Sequence, residues 1–554
     1  MRADIIRIYK SVHTWTGILT GMALFIAFYA GALTIFKEPL ERWASAPVAP
    51  ITVPVGNAQA LILQTLRSNP EAAKDFTIYL RDAEHIPARM GWHVRSSDAD
   101  DHDESAVRHY VATWDAQGVA QVQQSQPSPL AAFIDVLHRV VGLPVDNDPN
   151  RWIMGVIASL YTLALVSGVI VLLPSLVKDF FALRVGKNLK RMWLDAHNVV
   201  GIISLPFHVV MALTAAVFAF HDGIYFLQDK MLHEDKLTSA FRMPTSAPET
   251  APVRDPASLL TPLELVARVH ALSPGFVPSM LQYQQVMGPR AVVRVWGKNT
   301  AAVSPRARGG FVAVDPYSGK LISSDFLPGH QSTPNLWVSS FFALHMAAFG
   351  DTIVQWMYFL LGLAGAWLFY SGNLLWIESR RRRAPKQGHE RPVQRLDVRL
   401  MAAATVGVCL GCVCGVSLTI VGGKWLHGYV GDLHVWHQAL YYTAFFASIA
   451  WAFLRGGAQA AVHLLWVAAA LTLAIPVTTL LAWSIPSLGW WAHTSVAALG
   501  VDVTAFVGAL VFAGLAWVTS RRVQHGASDS VWSAHGAVAP CTLSSLKSPC
   551  VPLS

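Results

Sequence analysis

The sequence predicts a polytopic α-helical membrane protein of about eight spans, with two α+β segments on the outer side of the membrane. Of its 554 residues, 53% are hydrophobic and only 14% are charged, whereas soluble domains have roughly 25% charged residues. The apolar residues gather in stretches of about 20 or more, which is the length that an α-helix needs to cross a bilayer. Twenty Trp and thirteen Tyr are typical of aromatic rings at membrane interfaces.

Eight apolar stretches are long enough to be spans. We expect them at about 13–36, 152–173, 197–220, 344–376, 399–421, 438–454, 460–482 and 497–519. Basic residues precede the first span and follow the second, fourth, sixth and eighth, so every basic cluster falls on one side. The positive-inside rule therefore places both termini in the cytoplasm. Glu38 and Arg42 separate the first stretch from the motif Ala44-Ser45-Ala46, so we expect a retained span rather than a cleaved signal peptide.

The spans divide the chain into eight parts. These are a first span (1–36), an outer segment (37–150), the second and third spans with a cytoplasmic loop (151–220), a second outer segment (221–343), a fourth span (344–378), a basic cytoplasmic linker (379–398), four further spans (399–520) and a cytoplasmic tail (521–554). In the second outer segment, 261–270 predicts an amphipathic helix with a Thr cap. Strand patterns follow at 279–285, 291–296, 310–314 and 320–326. The strand, turn and strand order at 110–122 matches them, and the acidic run 98–104 predicts a solvated loop, with a cation site as the alternative.

An internal repeat organises the first four spans. It consists of three pairs of matching motifs, which are His13-x3-Gly17 and His197-x3-Gly201, Leu137-His138 and Leu344-His345, and Trp152-x14-Ser167-Gly168 and Trp356-x14-Ser371-Gly372. The repeating unit is a span, an outer segment and a second span. Both copies start and end on the same side, so a pseudo-twofold axis along the membrane normal would make equivalent histidines face each other.

The repeat predicts two histidine pairs that bind haem. The inner pair is His13 with His197, and the outer pair is His138 with His345. Two imidazoles on opposite faces of a porphyrin leave no open position on the iron, which favours electron transfer over oxygen chemistry. Small residues near these ligands would let the macrocycle approach the backbone; the candidates are Gly17, Gly201, Gly142 and Gly350. A hydrated interfacial role for each histidine is the alternative, and a proton relay would need carboxylates that the first four spans almost lack.

Other side chains could alter this assignment. His208 follows the inner ligand of the third span by eleven residues, about 16 Å along a straight helix. It could ligate iron, line the pocket or face a haem propionate. Met346 could also ligate iron, although we favour a role in filling space. The loop after the fifth span contains His427, Asp432, His434 and His437, where a metal or substrate contact is the alternative to an ordinary interfacial loop.

The order and spacing of these motifs resemble the PepSY-associated transmembrane family. The resemblance covers about residues 1–380, and 255–326 resembles a PepSY domain. It implies a protein of the bacterial inner membrane with periplasmic outer segments, and some members of the family are dihaem ferric-siderophore reductases of the ferrioxamine type. It therefore implies an oxidoreductase with two haems b that reduces a ferric siderophore in the periplasm and releases Fe(II). The four spans after residue 390 depart from a minimal four-span member.

Two other classes of function remain open at this stage. The chain could be a secondary transporter of a siderophore or metal, or a PepSY-based sensor or regulatory membrane protein. The sequence has neither a G-x-x-x-x-G-K-[ST] loop nor a G-x-G-x-x-G fingerprint in the right context, so electrons would come from a quinol or a separate cytoplasmic reductase. The net charge of +8 comes from basic runs beside the spans and does not indicate a nucleic-acid partner.

Overall fold

The computed structural model describes residues 3–47, 53–81, 86, 88–95, 107–125, 127–177, 188–232, 253–306, 309–382, 394–527 and 529–533. The acidic run 98–104, most of the basic linker and most of the tail lie outside the described residues. The helices are α1 (Ala3–Thr34), α2 (Lys37–Ala44), α3 (Ala58–Ser68), α4 (Leu130–Arg139), α5 (Asp148–Leu172), α6 (Leu189–Ile203), α7 (Leu205–Ala219), α8 (His221–Leu232), α9 (Pro262–Leu272), α10 (Thr333–His345), α11 (Thr352–Ser379), α12 (Leu396–Trp425), α13 (Leu433–Arg455), α14 (Gly457–Ser484) and α15 (Val496–His525).

The two outer segments form one antiparallel sheet of eight strands. The strands are β1 (Asp75–Tyr79), β2 (Met90–Arg95), β3 (Val107–Trp114), β4 (Ala120–Ser125), β5 (Val277–Gln284), β6 (Val292–Lys298), β7 (Gly310–Val314) and β8 (Leu321–Ser323), in the order β4-β3-β2-β1-β5-β6-β7-β8. Each half consists of a helix, α3 or α9, followed by four strands. The halves meet at β1 and β5, where Phe76 lies opposite Tyr283 and the two rings stack at 4.7 Å. The same order of elements in both halves favours the predicted repeat.

The second half of the sheet agrees closely with its sequence pattern. α9 begins after Thr261, whose hydroxyl accepts a hydrogen bond from the backbone N–H of Glu264, and the Glu264 carboxylate accepts one from the backbone N–H of Thr261. This capping box satisfies two donors that the first turn of a helix leaves unpaired. Strands β5 to β8 lie where the sequence pattern predicts strands, and the clearest case is β6, which buries every second side chain as a half-buried strand does.

Six described helices are long and apolar enough to cross a membrane. They are α1, α5, α11, α12, α14 and α15, and the bent pair α6 and α7 makes a seventh if it is one span. The predicted sixth span corresponds to α13, which falls outside this set. α13 nevertheless runs the length of the bundle. Gln438 near its start bonds to Pro144, and Gly457 just after its end packs against Ala402 near the start of α12.

The third predicted span is not straight. The axes of α6 and α7 differ by 70° at the break between Ile203 and Leu205. Pro206 explains the break, because proline has no N–H to donate to the preceding turn and its ring clashes with that turn. The prediction of one continuous helix over 197–220 is therefore wrong. His208 also lies on a different axis from His197, so the distance expected along a straight helix does not apply.

The fourth predicted span begins later than expected. α10 ends at His345, and α11 begins at Thr352 after a turn in which Ala347 has a φ of +50°. His345 therefore lies at the end of a short helix before the span rather than on the span. His138 has the equivalent place near the end of α4, which precedes α5. We call the end of the bundle that connects to the sheet the sheet end, and the opposite one the far end.

Candidate functional site

The helical bundle brings the four predicted histidines together in two facing pairs. At the far end, the ring centroids of His13 on α1 and His197 on α6 are 6.3 Å apart. At the sheet end, those of His138 on α4 and His345 on α10 are 6.0 Å apart. Two imidazoles that bind one metal ion from opposite sides, with metal–nitrogen bonds of about 2 Å, have centroids about 6 Å apart. Each pair therefore has the separation that a shared metal ion requires.

Backbone carbonyls orient one histidine of each pair. Nδ1 of His13 donates to the carbonyl oxygen of Ala164 on α5 at 2.8 Å. Nδ1 of His138 donates to the carbonyl oxygen of Ala27 on α1, also at 2.8 Å. A carbonyl oxygen can only accept, so Nδ1 of each neutral ring carries the proton and Nε2 has the lone pair.

Hydroxyl groups orient the other histidine of each pair. Nδ1 of His197 lies 3.1 Å from Oγ of Ser371, and Nδ1 of His345 lies 2.8 Å from Oγ1 of Thr214. Each hydroxyl donates its own hydrogen to a backbone carbonyl one turn earlier in its helix, so it accepts from the imidazole. His197 also has a hydrogen bond with the backbone of Leu368, and no hydrogen bond of Nε2 is found for His13, His138 or His345 within the described residues. Metal-binding histidines show this arrangement, in which a second group holds the other N–H.

Glycines on neighbouring helices lie against three of the rings. A Cβ atom added at Gly168 would lie 2.9 Å from the ring of His13, and one at Gly31 would lie 2.7 Å from the ring of His138. A Cβ at Gly372 would lie 3.5 Å from the ring of His197. Gly168 and Gly372 are the matching glycines of the repeat, so the two inner histidines pack alike.

The glycines that sequence spacing predicted beside the ligands are different ones. A Cβ at Gly17 would meet nothing within 4 Å, and one at Gly201 would meet only a leucine side chain. Gly142 and Gly350 have φ values of +84° and +69°, which glycine adopts readily, and they lie in the turns after α4 and before α11. The glycines that pack against the rings are therefore not the ones that spacing singled out, whereas the approach of a macrocycle to Gly17, Gly201, Gly142 and Gly350 stays a prediction.

His208 lies inside the bundle without a histidine partner. Its side chain is 1% exposed, and its Nδ1 lies 2.6 Å from the hydroxyl of Tyr161. Its Nε2 is buried with no hydrogen-bond partner among the described residues. Phe28 lies 5.5 Å away, and a Cβ at Gly365 would lie 3.1 Å from the ring. The aromatic neighbours of His208 are Phe and Tyr rings, so the structure forms two histidine pairs and places this residue beside them.

The histidines after the fifth predicted span do not converge on one site. Asp432 caps α13 and accepts hydrogen bonds from the backbone N–H groups of His434 and Val435. His434 contacts Gln438, whereas His437 is buried. The substrate contact suggested for this loop stays a prediction. In the described part of the chain, no group of three or more His, Cys, Asp or Glu side chains could hold a metal.

The donor set of each pair limits the kind of metal centre that fits. Two imidazoles alone are fewer ligands than the four that structural zinc sites use. A haem iron needs only two axial ligands from the protein, because its porphyrin supplies the rest. The residues present therefore fit haem better than a bare metal ion.

Comparison with known families identifies the chain. A family model described as the PepSY-associated TM region matches residues 10–379. The chain belongs to the PepSY-associated transmembrane family. The matched region of this PepSY-associated protein extends from α1 to the end of α11, so it contains both histidine pairs and the whole sheet. Helices α12 to α15 lie beyond it. No curated protein matches the chain. Family membership and the apolar helices together indicate a multi-pass membrane protein.

Proposed function

We propose that the protein is a dihaem b-type reductase that passes electrons across the inner membrane to a ferric siderophore in the periplasm. The observation that carries the proposal is the shared arrangement of the four histidines. His13 and His197, like His138 and His345, face each other at about the distance that one iron ion requires, and a neighbouring helix holds each Nδ1. The proposal assigns these four histidines as the residues that would hold the iron of the two haems.

The depth of the two pairs supports a path across the membrane. His13 on α1 belongs to the inner pair, and Ala27 on the same helix bonds to His138 of the outer pair. These two residues are 14 positions apart. At 1.5 Å per residue this separation is about 21 Å, within a hydrocarbon core of about 30 Å. Bound haem would supply reversible one-electron chemistry at each depth. The residues of the bundle would fix the two positions and exclude water from them.

The acceptor is proposed from the family resemblance and from chemistry. The sheet lies beyond the outer pair, on the side that the positive-inside rule places in the periplasm. Hard oxygen ligands hold Fe(III) far better than Fe(II), so one-electron reduction releases iron from such a chelate. A quinol or a cytoplasmic reductase would supply electrons at the far end. A secondary transporter or a PepSY-based sensor would need none of the shared histidine geometry.

Haem content tests the proposal directly. Purified full-length protein should have a reducible b-type spectrum with two haems per chain. His13→Ala and His197→Ala should each remove one haem, and His138→Ala and His345→Ala the other. His463→Ala, an exposed position on α14, is the control and should retain both. A colourless preparation from haem-replete cells would contradict the proposal and leave the transporter and sensor alternatives.

The acceptor needs a separate measurement. Dithionite-reduced protein, freed of excess reductant, should be reoxidised by a ferric siderophore, with Fe(II) trapped by a chelator such as ferrozine. Reoxidation by none of several siderophores would keep the haem assignment and overturn the proposed substrate.

A further inference from the structure

One buried tryptophan of α2, Trp43, contacts the helices beyond the family match. Trp43 is 1% exposed, and its Nε1 donates to Asp502 at 2.9 Å and to Thr479 at 3.2 Å. The ammonium group of Lys424 lies 3.7 Å from the centre of its indole ring. The indole therefore has a carboxylate at its N–H and a cation on its face, and ring electrostatics favour both positions.

The three partners of Trp43 come from three different helices of one unit. Lys424 is on α12, Thr479 on α14 and Asp502 on α15. We call α12 to α15 the C-terminal unit. Lys424 is 0% exposed and donates to the carbonyl of Trp491, while Asp502 is 8% exposed. Buried charges in a membrane protein are costly without partners, so loss of Trp43 would leave both charges less well compensated.

The same unit also forms hydrogen bonds with two backbone carbonyl groups at the end of α2. Nε1 of Trp491 donates to the carbonyl oxygen of Trp43 at 3.2 Å. Nε2 of His493 lies 2.8 Å from the carbonyl oxygen of Ser45. Both residues belong to the loop between α14 and α15. The C-terminal unit thus contacts both the side chain and the backbone carbonyl of Trp43 on α2.

α2 is in turn linked to the helix that carries an outer histidine. Lys37 on α2 forms an ion pair with Asp135 on α4 at 3.2 Å. Asp135 lies three residues before His138, and its charge also acts on His345. The carboxylate of Asp135 is therefore close to the outer pair. Arg139 on α4 also pairs with it at 3.4 Å, so Lys37 is the partner of Asp135 that α2 supplies.

The C-terminal unit contacts the region after α4 as well. The hydroxyl of Tyr442 on α13 donates to the carbonyl oxygen of Gly142 at 2.9 Å. Gln438 on the same helix donates to the carbonyl oxygen of Pro144 at 3.4 Å. This unit is therefore linked to α4 by two sets of contacts. One set runs through α2, and the other runs through the turn that follows His138.

We propose that the C-terminal unit positions the outer histidine pair, and that Trp43, Lys424 and Asp502 are its positioning residues. The proposal rests on the proposed function for the role of His138 and His345. It gives the four helices beyond the family match a task in the same reaction. A carboxylate near an iron centre stabilises the ferric state, and Lys37 offsets the charge of Asp135. Release of α2 should therefore weaken the Lys37–Asp135 pair and lower the potential of the outer haem alone.

The test uses Trp43→Phe in the full-length protein. Phenylalanine keeps an aromatic face for Lys424 but has no N–H for Asp502 or Thr479. Trp483→Phe is the matched control, because Trp483 lies in the same unit on α14 and is 77% exposed. A redox titration should show a lowered outer midpoint potential or loss of the outer haem in Trp43→Phe, with the inner haem unchanged. Hydrogen exchange of the α4 peptide should be faster than in the control.

The two readouts separate this proposal from the proposed function. If the wild-type protein holds no haem, the proposed function fails, whereas slower α4 exchange in wild type than in Trp43→Phe would still support the link to α2. Unchanged α4 exchange overturns the proposal. Faster exchange with an unchanged outer haem, or equal changes in both haems, overturns the positioning role. If Trp43→Phe does not fold, Lys424→Met, which removes the cation on the indole face and the hydrogen bond to Trp491, should give the same selective changes.

Discussion

At the scale of single residues, the four paired histidines share with His208 an Nδ1 contact to a second helix, whereas some other histidines of the chain bond to the turn just before them. His221 and His525 contact backbone carbonyls of the preceding turn, at Phe218 and Arg521. Each of the four paired histidines instead reaches another helix. A bond to a second helix fixes the direction of the ring relative to the bundle, so Nε2 of each histidine is oriented before any ligand binds.

Thr214→Val tests this orientation at the outer pair. Valine has nearly the shape of threonine but cannot accept the hydrogen bond from Nδ1 of His345. Loss of such a supporting bond lowers metal affinity by about 10–100-fold, so we expect weaker haem retention at the outer site only. Haem loss to an excess of a haem-scavenging protein measures it. Thr162→Val, which removes only a bond to the carbonyl of Ala158, is the control. Equal haem loss in the two variants would show that the hydroxyl does not support His345.

Two glycine substitutions distinguish the sites by packing. Gly168→Ala should displace His13, and Gly31→Ala should displace His138, because the added Cβ would lie closer than 3.0 Å to each ring. We expect the first to alter the inner haem spectrum and the second the outer one. Electron paramagnetic resonance of the oxidised protein measures both. Gly514→Ala on α15, where a Cβ meets nothing within 4 Å, should leave both signals unchanged. Wild-type signals in the first two variants would contradict the packing described above.

At the scale of secondary-structure elements, the central pairing of the sheet joins two distant parts of the chain. β1 and β5 pair over five residues, and Asp75 accepts hydrogen bonds from the side chains of Gln282 and Gln284 across the junction. The hydrophobic core beneath contains residues of both halves, among them Phe76 and Tyr283. The two outer segments therefore share one sheet and one core, which predicts that they unfold as one cooperative unit.

Phe76→Ala tests this cooperativity. Removal of a fully buried phenylalanine costs about 3–5 kcal/mol of stability, and its stacking partner Tyr283 belongs to the other half. We expect faster hydrogen exchange in β6 as well as in β1. Val119→Ala, in the exposed turn between β3 and β4, should change neither strand. If exchange in β6 stays at the wild-type rate, the halves unfold independently.

The sequence shows element types and pairing partners better than it shows contacts between helices. The repeat was enough to predict which histidines face each other, and alternation predicted β5 to β8. The sequence does not reveal the break at Pro206, because both sides of it are apolar and proline is tolerated in membrane helices. It does not distinguish Trp43 from the other tryptophans either. The available signal was the pair of lone charges, Lys424 and Asp502, in or beside apolar stretches, where charged residues are rare and usually have a role.

At the scale of the whole molecule, helix contacts define the route of the chain through the bundle. Trp43 at the sheet end touches Lys424 near the end of α12, and Thr479 near the end of α14. Arg381 at the far end forms an ion pair with Asp529, which follows α15. Among the described residues, six helices and the bent pair α6–α7 are candidate spans, and α13 lies alongside them in the bundle.

This route predicts the sidedness of the protein. Together with the positive-inside rule, it places the sheet in the periplasm and the start of α1 in the cytoplasm. Val119→Cys, at an exposed position of the sheet, should react with a membrane-impermeant maleimide in intact spheroplasts. Lys10→Cys, exposed at the far end, should react only after permeabilisation, and the unmodified chain gives the background. The reverse labelling pattern would overturn the orientation and the direction proposed for electron flow.

The pairing of β1 with β5 also constrains how the protein is made. Asp75 pairs with Gln284, and α5, α6 and α7 lie between them in the chain. During synthesis, β1 leaves the ribosome before β5 does. One edge of β1 therefore stays unpaired while the helices between the two strands are made. Unpaired strand edges favour association with other chains. Synthesis of the second outer segment is therefore the step that completes the sheet, and any delay in it lengthens the period in which the edge of β1 stays unpaired.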